Sequence, residues 1–202
     1  MIVDNNTTIL VGNTKITEVY QGNNLIYRDT PYTPLNYIKS NNRSYIDTGV
    51  VINGIDICFR YTAPYSFENS VFGSRVSNRF GLTTYDNGFH IMPPGYNIIP
   101  FDNNKHKLTM GAKFNWIATC DNVSYAVTDR SPIGGTMFLF RENNWYPYYG
   151  DQIEIYYCKL YNNNTLVRDF IPVLDPQGIP CLYDLVSETY FYNAGSGTFT
   201  YG

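Results

Sequence analysis

Short stretches of alternating apolar and polar residues follow one another from about residue 34 to the end of the chain, separated by clusters of Gly, Pro, Asn and Asp. A period of two places successive side chains on opposite faces of a β-strand, and the clusters provide turns. No stretch combines a sustained period of 3.6 residues with helix caps, so at most a turn or two of helix is expected. The predicted strands span residues 44–48, 55–61, 70–75, 79–84, 88–92, 105–112, 116–120, 123–127, 136–141, 152–161, 165–172, 179–184 and 191–193. Strands of this length and spacing predict an all-β sandwich or barrel.

The longest run, residues 153–161, carries apolar residues at both odd and even positions. Plain alternation places Ile155 and Tyr157 on one face of the strand and Cys158 and Leu160 on the other. Because both faces are largely apolar, we expect this strand to lie centrally in its sheet and to be covered on both sides.

The first thirty residues repeat a pattern in which Gly-Asn, at 12–13 and again at 22–23, lies between β-forming residues. Gly and Asn tolerate positive φ, so both copies are predicted to be tight hairpin turns. Strands at 8–11, 15–20 and 24–28 would form a small meander. Such a piece is marginal alone, so it docks on the chain's own sandwich or serves as an attachment or oligomerisation module.

Residues 30–34 contain two prolines. Each proline fixes φ and removes a backbone donor, so this segment is predicted to be a short stiff linker. The chain therefore divides into an N-terminal segment with its linker, residues 1–33, and a main domain, residues 34–202.

The composition supports a β-rich protein without a nucleic-acid partner. The chain has 202 residues, 20 of them Tyr and 12 Phe, and only 15% are charged. Aromatic residues favour pleated surfaces. The net charge is -3 and the 14 Lys and Arg are scattered, so no basic stripe is available for a phosphate backbone.

The cysteines argue against a zinc site, and the hydropathy argues against a membrane span. Cys58, Cys120, Cys158 and Cys181 are far apart and form no CxxC pair, so we expect small buried apolar residues and no zinc site. If the protein works outside a cell, these cysteines could form disulfides, but the sequence indicates no pairing. No stretch approaches the ~20 apolar residues of a membrane span, and Met1 is not followed by a signal-peptide pattern, so neither membrane insertion nor conventional secretion is expected.

Several segments in the main domain resemble a known family. Two parts of the domain show the motifs of this family in the same order and at the same spacing. They are an opening segment, residues 37–38 and 44–49, and a longer closing part. The closing part comprises Asp151-Gln152-Ile153-Glu154-Ile155-Tyr156-Tyr157, Leu166-Val167-Arg168-Asp169-Phe170-Ile171-Pro172, Leu182-Tyr183-Asp184-Leu185-Val186 and Asn193-Ala194-Gly195-Ser196-Gly197-Thr198-Phe199. Weaker matches lie at 71–75, 80–82 and 106–108. Together they resemble the concanavalin A-like (laminin G-like) domains of bacteriophage virion proteins and gut-bacterial surface proteins.

The resemblance implies a fold, a function and a location. The fold is a concanavalin A-like antiparallel jelly-roll sandwich preceded by the small N-terminal β-hairpin meander. The hairpins resemble leader segments that anchor phage tail, fibre and head-decoration proteins. The expected function is that of a non-enzymatic virion protein, a head fibre, capsid decoration or tail fibre component, whose lectin-like domain adheres to host-surface glycans. The alternative is a free carbohydrate-binding module or lectin of a bacterial surface protein.

The same resemblance implies partners. Other virion proteins would contact the N-terminal segment, and a homo-oligomer, with a trimer favoured, would be displayed on the virion surface after synthesis in the host bacterial cytoplasm.

The sequence offers little catalytic chemistry. A β-glucanase on this fold needs a Glu-x-Asp-x-x-Glu strand, which is absent, and Asp151 and Glu154 would point to opposite faces of a strand. Neither His90 nor His106 has a local catalytic or metal-binding motif. The Asx residues at 102–104 and 121–122 could bind calcium but suit turns better. We therefore predict no enzyme, no cofactor and no metal.

The most suggestive surface segment is the turn-rich loop 141–150, which contains four aromatic rings. Aromatic faces stack on sugars while Asn, Arg and Glu hydrogen-bond hydroxyl groups, and Tyr, Trp and Arg dominate the hot spots of protein interfaces. Glycan binding, a subunit contact and plain packing at one end of the sandwich all stay open. The candidate ligand-binding residues are Arg141, Asn143, Asn144, Trp145, Tyr146, Tyr148 and Tyr149. A second aromatic loop, 92–97, could lie near a concave face.

Overall fold

A computed structural model describes residues 9–11, 14–16, 18–21, 24–28, 30–41, 43–62, 69–76, 78–85, 88–93, 96–127, 130, 134–144 and 149–202. These residues form two facing β-sheets preceded by small hairpins. The all-β fold predicted from the sequence is confirmed, and the two antiparallel sheets are consistent with a jelly-roll sandwich. The specific concanavalin A-like topology stays a prediction.

The N-terminal segment contains two separate hairpins. Strand β1 (Ile9–Val11) pairs with β2 (Thr14–Ile16), and β3 (Glu18–Gln21) pairs with β4 (Asn24–Arg28). Val11 pairs with Thr14 and Gln21 with Asn24. The Gly-Asn turns predicted at 12–13 and 22–23 lie outside the described residues. The single strand expected at 15–20 is instead two strands, which belong to different hairpins.

The larger sheet contains eleven strands. They are β5 (Thr33–Pro34), β6 (Ile38–Lys39), β8 (Gly54–Tyr61), β13 (Lys105–Gly111), β14 (Ile117–Cys120), β15 (Val123–Ala126), β18 (Ile153–Asn162), β19 (Thr165–Leu174), β20 (Pro180–Asp184), β21 (Thr189–Phe191) and β22 (Thr200–Tyr201). Eight of them follow in the order β15-β14-β13-β8-β18-β19-β20-β21, while β6 pairs with both β18 and β22, and β5 pairs with β19.

The smaller sheet has seven strands. They are β7 (Ile46–Asp47), β9 (Ser70–Ser74), β10 (Phe80–Tyr85), β11 (Gly88–Met92), β12 (Tyr96–Pro100), β16 (Phe138–Leu139) and β17 (Glu142–Asn143). Their order is β12-β11-β10-β9-β16-β7, with β17 parallel to β9. Sequence patterning missed β12, and the strand predicted at 136–141 is broken at Phe140, whose φ of 63° does not fit a strand.

The core lies between the two sheets. Fully buried Phe59 of β8 packs edge-to-face on Phe89 of β11, with ring centroids 5.3 Å apart. Tyr61 also contacts Phe89, and Phe140 packs on Phe199 at 5.2 Å. Aromatic contacts of this kind add to the stabilisation from apolar burial. The described residues contain one 3-10 turn, Ala112–Phe114, and they include no helix with the length and apolar character to cross a membrane.

Strand β18 is central, as predicted, but it is not covered by apolar residues on both sides. A register shift between Ile155 and Tyr157 interrupts its pairing with β8. This bulge brings Cys158 and Leu160 into the core together with Ile155, all with 0% exposure. Tyr157 is instead half-buried and donates a hydrogen bond to Asp56 on β8 at 3.0 Å. The outer face of the larger sheet is therefore polar at this point.

Residues 31–34, predicted to be a linker, lie against the sandwich. Strand β5 pairs with the end of β19. The ring of Tyr32 lies 4.6 Å from that of Tyr183, and the Tyr190 hydroxyl donates a hydrogen bond to the Pro31 carbonyl. The two prolines therefore do not make residues 31–34 a free linker. Aromatic packing and backbone pairing of β5 with β19 hold this segment against the main domain.

All four cysteines are buried and free. Burial raises the pKa of each thiol, that of Cys181 to about 12. Their predicted burial is confirmed.

Candidate functional site

The described part of the predicted ligand-binding loop lies at the edge of the smaller sheet. Arg141 and Tyr149 form an isolated antiparallel bridge that closes the base of the loop. Strand β16, just before Arg141, pairs with β7, which brings the segment around Tyr45 beside the loop. Trp145, Tyr146 and Tyr148, three of the predicted site residues, lie outside the described residues.

Arg141 lies among three aromatic rings. Its guanidinium carbon is 4.5 Å from the ring centroid of Tyr45, 5.0 Å from that of Tyr149 and 5.5 Å from that of Phe138. Tyr45 and Phe138 are stacked with centroids 5.1 Å apart. A guanidinium within about 6 Å of a ring centroid is attracted by the negative ring face. These contacts hold the rings in a fixed arrangement.

A second arginine flanks the same rings. The guanidinium carbon of exposed Arg43 lies 5.5 Å from the ring centroid of half-buried Tyr149. The Arg43 backbone N–H donates to the Asp151 carboxylate at 3.0 Å, which fixes the chain at this position. We call Arg43, Tyr45, Phe138, Arg141 and Tyr149 the aromatic–arginine cluster.

A buried ion pair lies beside this cluster. Glu142 has 0% exposure, and its Oε1 accepts a hydrogen bond from Arg79 Nε at 2.6 Å. Its Oε2 has no hydrogen-bond partner among the described residues. A Cβ at Gly73 would lie 3.1 Å from Glu142 Cγ, so glycine provides the space for this side chain. Most buried polar atoms are hydrogen-bonded, so this oxygen is unusual, but at 0% exposure it lies below the surface that a ligand could contact.

Further polar residues extend from the Arg79–Glu142 pair across the neighbouring strands of the smaller sheet. Arg79 Nη2 lies 3.4 Å from Thr83 Oγ1. Thr83 pairs with Ser70 on one side and with His90 on the other, and all three are buried. Ser70 Oγ lacks a partner in the described part of the chain. The smaller sheet thus carries a buried polar row that begins at Glu142.

Asn143, one of the predicted site residues, has structural contacts. The Asn143 side-chain amide donates to the Thr136 carbonyl at 2.9 Å, and the Asn143 backbone carbonyl accepts from the Arg75 backbone N–H at 3.0 Å. Asn144, the next predicted site residue, is half-buried. Asn143 therefore holds the loop in place, and the groups best placed for a ligand are those of the cluster.

The carboxylates of Asp151 and Glu154 have different partners. Asp151 accepts from the Arg43 backbone, whereas buried Glu154 accepts two hydrogen bonds from Arg60, at 2.7 and 3.0 Å, and one from Tyr156 at 2.6 Å. Burial and the contact with Glu154 raise the pKa of the Tyr156 hydroxyl. Both carboxylates are occupied by structural hydrogen bonds.

One cluster of metal-ligating side chains occurs among the described residues, on the larger sheet. It contains His106, Cys120 and Asp121, whose ligand atoms lie within 4.8 Å of one another. Asp102 contacts the other ring nitrogen of His106 at 3.0 Å. The two Asx-rich turns singled out in the sequence therefore converge on the histidine that had no local motif.

The sequence pattern identified the loop 141–150 but not the residues that surround it in the folded protein. Arg43, Tyr45 and Arg79 lie 60 or more positions before Arg141 or Glu142. Glu142 lies inside the predicted loop but was not selected, since sequence gives no sign of its burial. The second aromatic loop, 92–97, includes the start of β12, which pairs with β11 in a hairpin.

Comparison with family models, with curated proteins and with solved structures finds no match to this chain. The fold and the site define a class by themselves: an all-β sandwich with half-buried rings and arginines at one sheet edge, beside a buried carboxylate.

Proposed function

We propose that this protein is a non-enzymatic adhesin that binds glycans at the aromatic–arginine cluster and is displayed on a bacteriophage particle. The observation that carries the glycan proposal is the half-buried Tyr149 ring, whose centroid lies 5.5 Å from the guanidinium carbon of Arg43 and 5.0 Å from that of Arg141. Rings fixed in this way stack on the C–H faces of a sugar at a low cost in side-chain entropy. The exposed guanidinium of Arg43 supplies donors for hydroxyl groups.

The buried Arg79–Glu142 ion pair lies next to this site. Glu142 follows Arg141 in the chain and has 0% exposure, and its contact with Arg79 at 2.6 Å fixes the start of the loop. A few polar groups beside aromatic surface are typical of small-molecule sites.

The particle location is proposed from the resemblance of the chain to phage virion domains and from its N-terminal hairpins. Two-stranded hairpins are marginal in water unless they pack on another surface. A partner protein of the particle, or the same segment of two further copies, would supply such a surface. The proposed protein is therefore a head fibre, capsid decoration or tail fibre component that assembles through residues 1–30, most simply as a trimer.

Substitution of Tyr149 by alanine is expected to weaken glycan binding by about fivefold or more, since loss of a central aromatic contact costs over about 1 kcal/mol. Binding would be measured by calorimetry with a ligand identified on a glycan array. Tyr201→Ala removes an exposed ring elsewhere in the larger sheet and should leave binding unchanged. A folded protein that binds no glycan on the array, or a Tyr149→Ala variant with unchanged affinity, would argue against the site.

Removal of residues 1–30 is expected to convert a trimer into a monomer, measured by mass photometry, and to abolish incorporation into particles. The shortened chain begins at Pro31, because residues 31–34 contact the sandwich. Incorporation of the shortened chain at full level would contradict anchoring through this segment. A monomer in both forms that still binds glycan would favour a free carbohydrate-binding module.

A further inference from the structure

Three potential metal ligands meet where β13 and β14 lie side by side. His106 is on β13, Cys120 ends β14, and Asp121 begins the turn that leads to β15. Leu108 pairs with Cys120, and His106 lies two residues before Leu108 on the same face of the strand. His106 and Cys120 are both buried, whereas the Asp121 side chain is 45% exposed.

The spacing of the donor atoms is close to that of a tetrahedral zinc site. With zinc bonds of about 2.0–2.3 Å, neighbouring N, O and S ligands lie roughly 3.3–3.6 Å apart. Cys120 Sγ and Asp121 Oδ2 are 3.6 Å apart, and His106 Nδ1 and Asp121 Oδ2 are 2.6 Å apart. Asp121 Oδ1 also accepts a hydrogen bond from the Lys107 backbone N–H at 2.9 Å, so the carboxylate would have to turn about this contact for the second distance to open to the required value.

The other nitrogen of His106 is already held in the manner of a zinc ligand. Nε2 lies 3.0 Å from Asp102 Oδ1, and Asp102 is fixed by the backbone and side-chain N–H groups of Asn104 at 2.9 and 2.8 Å. A carboxylate that accepts from one ring nitrogen directs the lone pair of the other nitrogen towards a metal. The ring therefore presents Nδ1 to Cys120 and Asp121.

We propose that His106 Nδ1, Cys120 Sγ and the Asp121 carboxylate bind one Zn²⁺ ion, with a fourth position open to water beside exposed Asp121. Thiolate, imidazole and carboxylate are all zinc ligands, and three protein ligands with one open position are an established zinc arrangement. The sequence predicted no metal because the ligands come from two strands that meet only in the folded sheet.

The ion would join the Asp102 turn, β13 and the β14–β15 turn. Zinc binds cysteine as the thiolate, so the ion must displace the Cys120 proton on binding. At least one proton should therefore be released per ion, measured from the buffer dependence of the binding heat.

The test uses the full-length protein freed of metal and titrated with Co²⁺ as a spectroscopic probe, followed by competition with Zn²⁺. One equivalent of Co²⁺ is expected to give a thiolate-to-cobalt charge-transfer band, which Zn²⁺ abolishes. Cys120→Ser should remove the band, and His106→Gln should weaken binding strongly. Cys58→Ser, on the outer face of neighbouring β8, is the matched control and should retain the band.

The Asp102→Asn variant tests whether Asp102 orients the His106 ring without itself binding the ion. It should weaken Zn²⁺ binding by about 10–100-fold while the charge-transfer band remains. The folded state of each variant is checked by circular dichroism, and Zn²⁺ should raise the Tm of the natural protein but not that of His106→Gln. Absence of any Co²⁺ spectrum with the folded protein, or a band that persists in Cys120→Ser, would overturn the site and leave a hydrogen-bonded network around His106.

Discussion

Replacement of Arg79 by alanine is expected to lower the free energy of unfolding by about 3–5 kcal/mol, because it leaves Glu142 as a buried charge without its partner. Glu142 has a fully buried side chain, whereas Arg79 is 22% exposed, so water near the arginine should keep the loss towards the lower end of that range. The change would be measured by urea denaturation. The same variant should bind glycan more weakly, since Glu142 adjoins Arg141 and its contact with Arg79 fixes the start of the loop.

Two further variants make this prediction specific. Arg75→Ala removes an exposed arginine close to the same sheet edge and should change stability by no more than about 0.5 kcal/mol. The double variant Arg79→Leu, Glu142→Leu removes both charges and should recover much of the lost stability, since apolar replacement of a buried pair is often neutral. Equal losses in Arg75→Ala and Arg79→Ala would show that the Glu142 contact contributes little.

Replacement of Phe59 by alanine should destabilise the sandwich by about 3–5 kcal/mol, the usual cost of removing a buried aromatic side chain. Phe59 has 0% exposure, and its ring contacts Phe89 of the opposite sheet at 5.3 Å. It also lies 5.7 Å from the ring of His106. The loss would combine the apolar transfer energy with a cavity between the two sheets.

Thermal and urea unfolding would measure this loss. Phe59→Leu keeps much of the volume and should cost considerably less than alanine. Val123→Ala, at an exposed position of an edge strand, provides a surface control with an effect near zero. An alanine variant as stable as the natural protein would mean that the sheets do not depend on this contact. Because Phe59 adjoins His106, Phe59→Ala should also weaken the proposed zinc site, whereas the glycan site at the other sheet should be unaffected.

The candidate site was only partly predictable. Arg141 and Tyr149 were selected because a turn-rich aromatic loop is visible as a local pattern, and the structure places both in one cluster. Tyr45 and Arg43 could not be assigned to that cluster, since they reach it through pairing of β7 with β16. Trp145, Tyr146 and Tyr148 lie outside the described residues, and their role stays a prediction.

The amino-acid sequence by itself determined the all-β class, most strand positions and the two Gly-Asn hairpins. These features follow from side-chain period and from backbone preferences within a few residues. Tertiary structure decided which faces were buried, because a single bulge after Ile155 changed the alternation of β18. It also decided both proposed sites: pairing of β16 with β7 brings Arg141 to Tyr45, and pairing of β13 with β14 brings Asp121 to His106. Contacts between segments that are distant along the chain depend on sheet order and register, which local patterns do not specify.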